Sequence, residues 1–331
     1  MNKMQVADCH NDMLLAIRHQ RERGQQDPFG DFWLPQLVQG GVRFQVLPVC
    51  TEEQFVGEGA LRRAMLLIEE ARHLARVHED RVAIVETTEE LDRTQSEGRI
   101  ALVLALEGAE PVGNSLELID SFYKAGVRMA SMSWNRRTMM ADGVAESDTG
   151  GRLTQLGVDA VARMEELGMV VDVSHLSRAG FFHVAEIATR PFIASHSSCT
   201  SVHAHPRNLD DEQLKIMRDR ESIVCLNAFG PFLADAPDVE AYLRHIDHAL
   251  NQLGPTNVGL GTDFIDDVTK VCDPIFTGLL TPIDSIPQVQ NLKRPSDFAD
   301  LTASLTTKFG EATARAVASE NLVEFMRRAL V

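Results

Sequence analysis

Short apolar runs that end in a polar residue alternate along this chain with stretches of helical period. The runs are Gln5–Cys9, Arg43–Cys50, Ile100–Leu106, Val127–Ser133, Met169–Val173, Pro191–Ser195, Ser222–Asn227 and Asn257–Gly261. Most are apolar on both faces, the pattern of strands buried in a parallel sheet. Val82–Glu86 reads as an extra short strand outside the main set. Amphipathic helices are predicted between them at Glu58–His78, Ser115–Ala125, Leu153–Leu167, Ser177–Ala188, Asp210–Arg220 and Asp238–Leu253. Asp210-Asp-Glu-Gln213 has the form of a helix N-terminus, and Gly126 and Gly168 fall just past helix ends.

Eight strands alternating with helices predict an α/β fold of the closed TIM (β/α)8 barrel type, of the metal-dependent hydrolase kind once its polar strand ends are considered. An open doubly wound sheet is the alternative, but no GxGxxG follows the first run. After Phe264, Pro274, Pro282, Pro287 and Pro295 punctuate a loop-rich stretch. Helices near Ser296–Phe309 and Glu311–Leu330 are expected to pack on the barrel, so that residues 1–331 form one domain.

Composition narrows the function classes. Hydrophobic residues make up 44% and charged residues 24%, which suits a globular chain with a large core. The net charge of -16 repels phosphate backbones, so nucleic acid is not an expected partner. The five cysteines are odd in number and form no CxxC, so reduced thiols are expected rather than a disulfide framework. Met1–Asp8 has no apolar signal region and no long uncharged apolar stretch follows. A cytoplasmic protein without a membrane partner is the expectation.

In a parallel barrel, functional side chains sit where strands end and the following loops begin. Those positions hold His10-Asn-Asp12, Glu107-Gly108, His175, His196 and Gly261-Thr-Asp263. Each is weak alone; five such ends delivering imidazoles and carboxylates to one mouth are a strong signal. These are the usual ligand types of Zn²⁺ in sites that keep a position open for water. Alternation lets His10 and Asp12 reach one ion, Glu107 can bridge, and His175 and His196 can complete a second site. Paired ions about 3.5–4 Å apart can share a hydroxide at neutral pH and polarise a carbonyl. No GxSxG elbow or phosphate-binding P-loop competes with this reading. The serines around His196 read as caps or loop supports, and Met139 and Met140 as core filler in preference to pocket lining.

Together these segments resemble the membrane (renal) dipeptidase family, peptidase family M19, in its bacterial cytoplasmic branch. The resemblance rests on Asp8-Cys-His10-Asn-Asp12, Glu107-Gly108, Asp172-Val-Ser-His175-Leu-Ser177 and Ser195-His196-Ser197. It continues through His205-Pro-Arg207-Asn208, Gly261-Thr-Asp263-Phe264 and Glu320-Asn321-Leu322. It implies a barrel with two divalent ions, zinc being the expected metal, and hydrolysis of dipeptides, including candidates with a C-terminal D-residue. It assigns His10 and Asp12 to one ion, Glu107 to the bridge, and His175 and His196 to the other. Arg207 would pair with the substrate carboxylate, with Asn208 and Trp134 also on the substrate side, and Asp263 would shuttle the proton. The resemblance also implies a homodimer as a candidate assembly, though the sequence shows no interface. Trp134 stands where the renal enzymes carry a histidine, and Phe264-Ile265-Asp266 stands where FDG is usual. These departures keep open a metal hydrolase of another small amide, a lactam or a phosphoester; a metal-binding scaffold without catalysis is the third reading.

Overall fold

The computed structural model describes residues 3–52, 54–55, 57–272 and 286–330. Its strands are β1 (Val6–Asp8), β2 (Val42–Cys50), β3 (Val82–Ile84), β4 (Ile100–Glu107) and β5 (Val127–Ser131). They continue as β6 (Val170–Asp172), β7 (Ile193–Ala194), β8 (Ile223–Leu226) and β9 (Val258–Leu260). All pair in parallel in the order β2-β1-β9-β8-β7-β6-β5-β4-β3. A long β2–β4 ladder, from Phe44↔Ala101 to Cys50↔Glu107, closes eight of them into a barrel. β3 is the extra strand expected outside the set; it pairs only with the first residues of β4.

Strand alternation divides the apolar residues into two layers. Phe44, Val46, Ala101, Val103, Ala105, Met129, Val170, Ile193, Ile223 and Cys225 belong to one cluster, which Leu322, Phe325 and Met326 of the last helix also join. Leu47, Val49, Leu102, Leu104, Leu106, Val171 and Val224 belong to the other, packed with the surrounding helices. The first layer fills the barrel and the second seals its wall. Carrying the inward parity forward along each strand reaches Cys50, Glu107, Ser131, Asp172, Ser195, Asn227 and Asp263. The same rule that buries the core therefore aims these seven groups at the mouth. His175 and His196 instead share the parity of Val171 and Ala194 and reach it from the turns that follow their strands.

The six predicted helices appear within a few residues of their expected bounds, and Asp210 and Gln213 form a reciprocal capping box. Among the described residues the structure adds four short α-helices, Met13–Glu22, Leu34–Gly40, Thr88–Ser96 and Asp266–Val271. Thr88–Ser96 buries only Leu91 and Thr94, too few to mark a face, and is started by Thr87 accepting from Glu90 N. The expected helix Glu311–Leu330 is broken by a π-helical turn at Ala316–Glu320. The stretch from Pro274 to Pro282 lies outside the described residues. Among those described, no helix is long and apolar enough to cross a membrane.

Behind the β2 end, buried Glu52 accepts from Arg63 Nη2 at 2.7 Å and Nε at 2.9 Å, and pairs with His19 Nε2 at 2.7 Å. A bidentate guanidinium fork of this kind fixes the loop that follows Cys50. All five cysteines are free and buried.

Candidate metal centre

Backbone turns at the strand ends bring the polar groups together. Gly108 adopts φ 91° and donates its N–H to Ser131 Oγ at 2.8 Å, turning the chain away directly after Glu107. Gly261 is imposed by a close crossing: a Cβ there would lie 1.8 Å from the Ser195 carbonyl oxygen. His175 (φ 69°) and Asp263 (φ 54°) hold left-handed conformations that are costly for residues with a Cβ. Asp263 N donates to His10 O at 3.1 Å, joining the first and last strand ends. Beneath them Asp8 accepts from Thr262 N at 2.8 Å and from Gln45 Nε2 at 3.1 Å.

Three imidazoles converge on one carboxylate oxygen. Glu107 Oε1 lies 3.6 Å from His10 Nε2, 3.0 Å from His175 Nε2 and 3.5 Å from His196 Nε2. Asp12 Oδ2 is 3.8 Å from His10 Nε2, and the His10 and His196 rings stack at 3.7 Å between centroids. The groups His10–Glu107–His196 and His10–Asp12–Asp263 each offer ligand atoms within 4.8 Å of one another.

Hydrogen bonding on the far side of two rings fixes what these nitrogens present. Asn135 Oδ1 can only accept, so His175 Nδ1, 2.8 Å away, carries the proton. Ser195 Oγ donates to Asp172 Oδ2 and so accepts from His196 Nδ1 at 2.7 Å. Both Nε2 atoms are then lone pairs, yet they face each other at 2.8 Å. Two lone pairs at that distance repel unless a cation lies between or beside them. His10 Nε2, Asp12 Oδ1 and Glu107 Oε2 are also buried without a hydrogen-bond partner. Orphaned acceptors and nitrogens of this number, aimed at one point, fit divalent ions held by histidine and carboxylate, with the outer bonds orienting the ligands.

The titration of the metal-free groups agrees. Burial lowers His175 and His196 well below the usual imidazole range, and the positive charges of Arg207 and His10 add to this. Burial would lower His10 as well, but the Glu107 and Asp12 charges outweigh it and raise it to about 10. Burial lifts Glu107 to about 8, opposed by His10, and lifts Asp263 in the same direction. Cations entering this site would replace protons.

On the substrate side, a cavity of about 710 Å³ opens over the cluster and is lined by Asp12, Cys50, Glu107, Trp134, Arg207 and Asp263, with Phe229 and Phe232 on its apolar wall. Arg207 is buried, donates Nη2 to His196 O at 3.2 Å and leaves Nε without a partner. Burial lowers its guanidinium to about 10, against the pull of Asp263 and Glu107. Phe232 lies beneath it, 5.5 Å from ring centroid to guanidinium carbon. Asn208 stands behind Arg207 and spends its amide on loop carbonyls, donating to His203 O at 2.9 Å and Phe232 O at 2.8 Å. Trp134 lines the cavity next to His175, with 5.7 Å between ring centroids. Asn227 Nδ2 donates to Asp263 Oδ2 at 3.0 Å. The methionines divide: Met140 is core, whereas Met139 is 59% exposed.

Sequence reasoning did not single out Cys50, Asn135 or Asn227, and gave Asp172 and Ser195 no orienting role. Each closes or follows an apolar run, and the inward parity of Phe44 and Val46 carried to Cys50 would have found it.

Fold and site together define a class, the parallel (β/α)8 barrels with a cluster of candidate metal ligands at the mouth. The chain belongs to the membrane dipeptidase family, peptidase family M19, whose model matches residues 1–330. It is 32% identical over 222 residues to dipeptidase verJ of Clonostachys rogersoniana, covering 64% of this chain and 57% of that protein. It thus spans little more than half the length of that relative. An uncharacterised Klebsiella pneumoniae protein from the pqqA 5' region is 32% identical over 224 residues, 64% of this chain and 80% of its own. Among solved structures, dipeptidase AC, a family M19 metallopeptidase, superposes with a TM-score of 0.86 at 26% identity, covering 99% of both chains. A Rhodobacter sphaeroides metallopeptidase, solved with a phosphinate mimic of L-Ala-D-Ala, shares the fold with a TM-score of 0.85 at 24% identity, over 99% of this chain and 100% of that one.

Proposed function

We propose that this chain hydrolyses dipeptides with two divalent ions, zinc first among them, held by His10, Asp12, Glu107, His175 and His196. The observation that carries the reading is the buried Arg207 guanidinium, placed across a small cavity from the imidazole–carboxylate cluster. A buried cation with a free N–H at the wall of the cavity suits one terminal carboxylate, bound through a planar fork. Family membership and the dipeptidases among the relatives support the same substrate class.

When bound, such ions lower the pKa of a water molecule and polarise a carbonyl oxygen. The chain's own residues supply the rest. Arg207 fixes the carboxylate end, which sets the scissile carbonyl over Glu107 and orients it before reaction. Asp263, kept protonatable by burial and anchored through Oδ2 by Asn227, holds a proton at Oδ1 and passes it to the leaving amine. The apolar wall of Trp134, Phe229 and Phe232 excludes bulk water and packs on side chains of the substrate.

The test is a turnover assay on the metal-replete protein across L,L and L,D dipeptides, with acyl-amino acids, a lactam and a phosphodiester in parallel. Dipeptide cleavage that a chelator abolishes and added metal restores is the expected result. Turnover confined to another substrate class, or none, overturns the reading.

A further inference from the structure

The end of β2 presents a group that the five-ligand reading leaves idle. Cys50 is in register with Glu107 on the neighbouring strand and shares the inward parity of Phe44 and Val46. It is 6% exposed, and its Sγ, one Asp12 oxygen and one Glu107 oxygen all lie within 4.8 Å of one another. Asp12 Oδ1 and Glu107 Oε2 are both buried without a nitrogen or oxygen partner, the Glu107 side chain is only 4% exposed, and the Cys50 thiol lies within hydrogen-bonding reach of that carboxyl. Two buried carboxylate oxygens beside an inward thiol, with the thiol as the sole partner on that side among the described residues, make a three-donor pocket. Glu52, clamped by Arg63 and His19, anchors the chain two residues beyond and limits how far Cys50 can swing away.

We propose that Cys50 Sγ is a ligand of the ion held by Asp12 and Glu107, an inference that rests on the reading of the site as a divalent metal centre. The thiol proton leaves to solvent as the sulfur–metal bond forms, and no oxidation is involved. A thiolate among oxygen and imidazole donors favours Zn²⁺ and Co²⁺ over the harder Mn²⁺. The metal nearer β1 is then chosen by Cys50, while His175 and His196 hold the other.

Cobalt replacement reads this directly, because a thiolate ligand gives a near-ultraviolet sulfur-to-cobalt charge-transfer band. Wild-type protein loaded with Co²⁺ is expected to show the band. Cys50→Ser is expected to lose it, to bind Co²⁺ at least about 10-fold more weakly, and to gain in relative preference for Mn²⁺. Cys199→Ser, at a buried thiol beside His245 away from the cluster, is expected to keep it. X-ray absorption on the wild type alone, showing sulfur in the cobalt shell, decides the matter if Cys50→Ser does not fold. Two cobalt ions per chain without a sulfur ligand, or a band that survives Cys50→Ser, overturns the proposal and leaves the metal-centre reading standing. A wild type that retains no cobalt overturns both.

Discussion

Replacing Ser195 with alanine tests how the second ion site is kept ready. Ser195 Oγ receives the proton of His196 Nδ1 at 2.7 Å while donating to Asp172, and Ser195 and His196 are 0% and 1% exposed. Water cannot substitute for the lost hydroxyl without a new cavity. The His196 ring is then free to rotate or to move its proton to Nε2, which would close the ligand position. Loss of such an outer hydrogen bond costs 10–100-fold in metal affinity, or about 1.4–2.8 kcal/mol. The metal-free fold loses two buried hydrogen bonds at roughly 1 kcal/mol each, while Asp172 retains Ser174 N and Ser195 N, each at 3.0 Å. Competition against a graded chelator gives the affinity of each ion, and thermal unfolding of the metal-free protein gives the stability. Ser198→Ala is the matched control, removing a buried hydroxyl that donates to Asn227 O at 2.9 Å without touching the ring. Ser195→Ala binding as the wild type does, or Ser198→Ala losing as much affinity, would refute the tautomer argument.

Arg207→Met is expected to raise KM for dipeptides roughly 30- to 100-fold, as loss of a charged hydrogen bond implies, with a smaller change in kcat; steady-state kinetics separate the two. Glu52→Gln removes the charge facing Arg63 and His19 and is expected to cost roughly 3 kcal/mol at pH 7, read by denaturant unfolding. Burial would raise the Glu52 carboxyl, but the bonds from His19 and Arg63 hold it below its usual range. Its contribution is therefore present above the unfolded value of about 4.3 and is lost as pH falls through the lower folded value, so the wild-type advantage should shrink only in that acid window.

The barrel was legible because buried parallel strands are apolar on both faces, a pattern that does not depend on long-range contacts. Residues at the ends of those runs were legible for the same reason: a histidine or carboxylate directly after an apolar run has little choice of place in such a barrel. What escaped was set by side-chain geometry across strands. Asn135 matters because its Oδ1 meets His175 from 40 residues away, and Asn227 because it reaches Asp263 from the neighbouring strand. Cys50 escaped because a cysteine closing an apolar run is ordinarily core. Thr88–Ser96 escaped because its helix is held by a cap and two buried residues, too few to mark a face.

The central claim is that the converging Nε2 atoms of His10, His175 and His196 around Glu107 hold metal. Anomalous diffraction from crystals of the protein loaded with Zn²⁺ measures this most directly. Two peaks about 3.5–4 Å apart, flanking Glu107, with Asp12 at one and His175 and His196 at the other, are the predicted result. A structure of the loaded protein with no peak at the barrel mouth, or with peaks only at surface carboxylates, would contradict it.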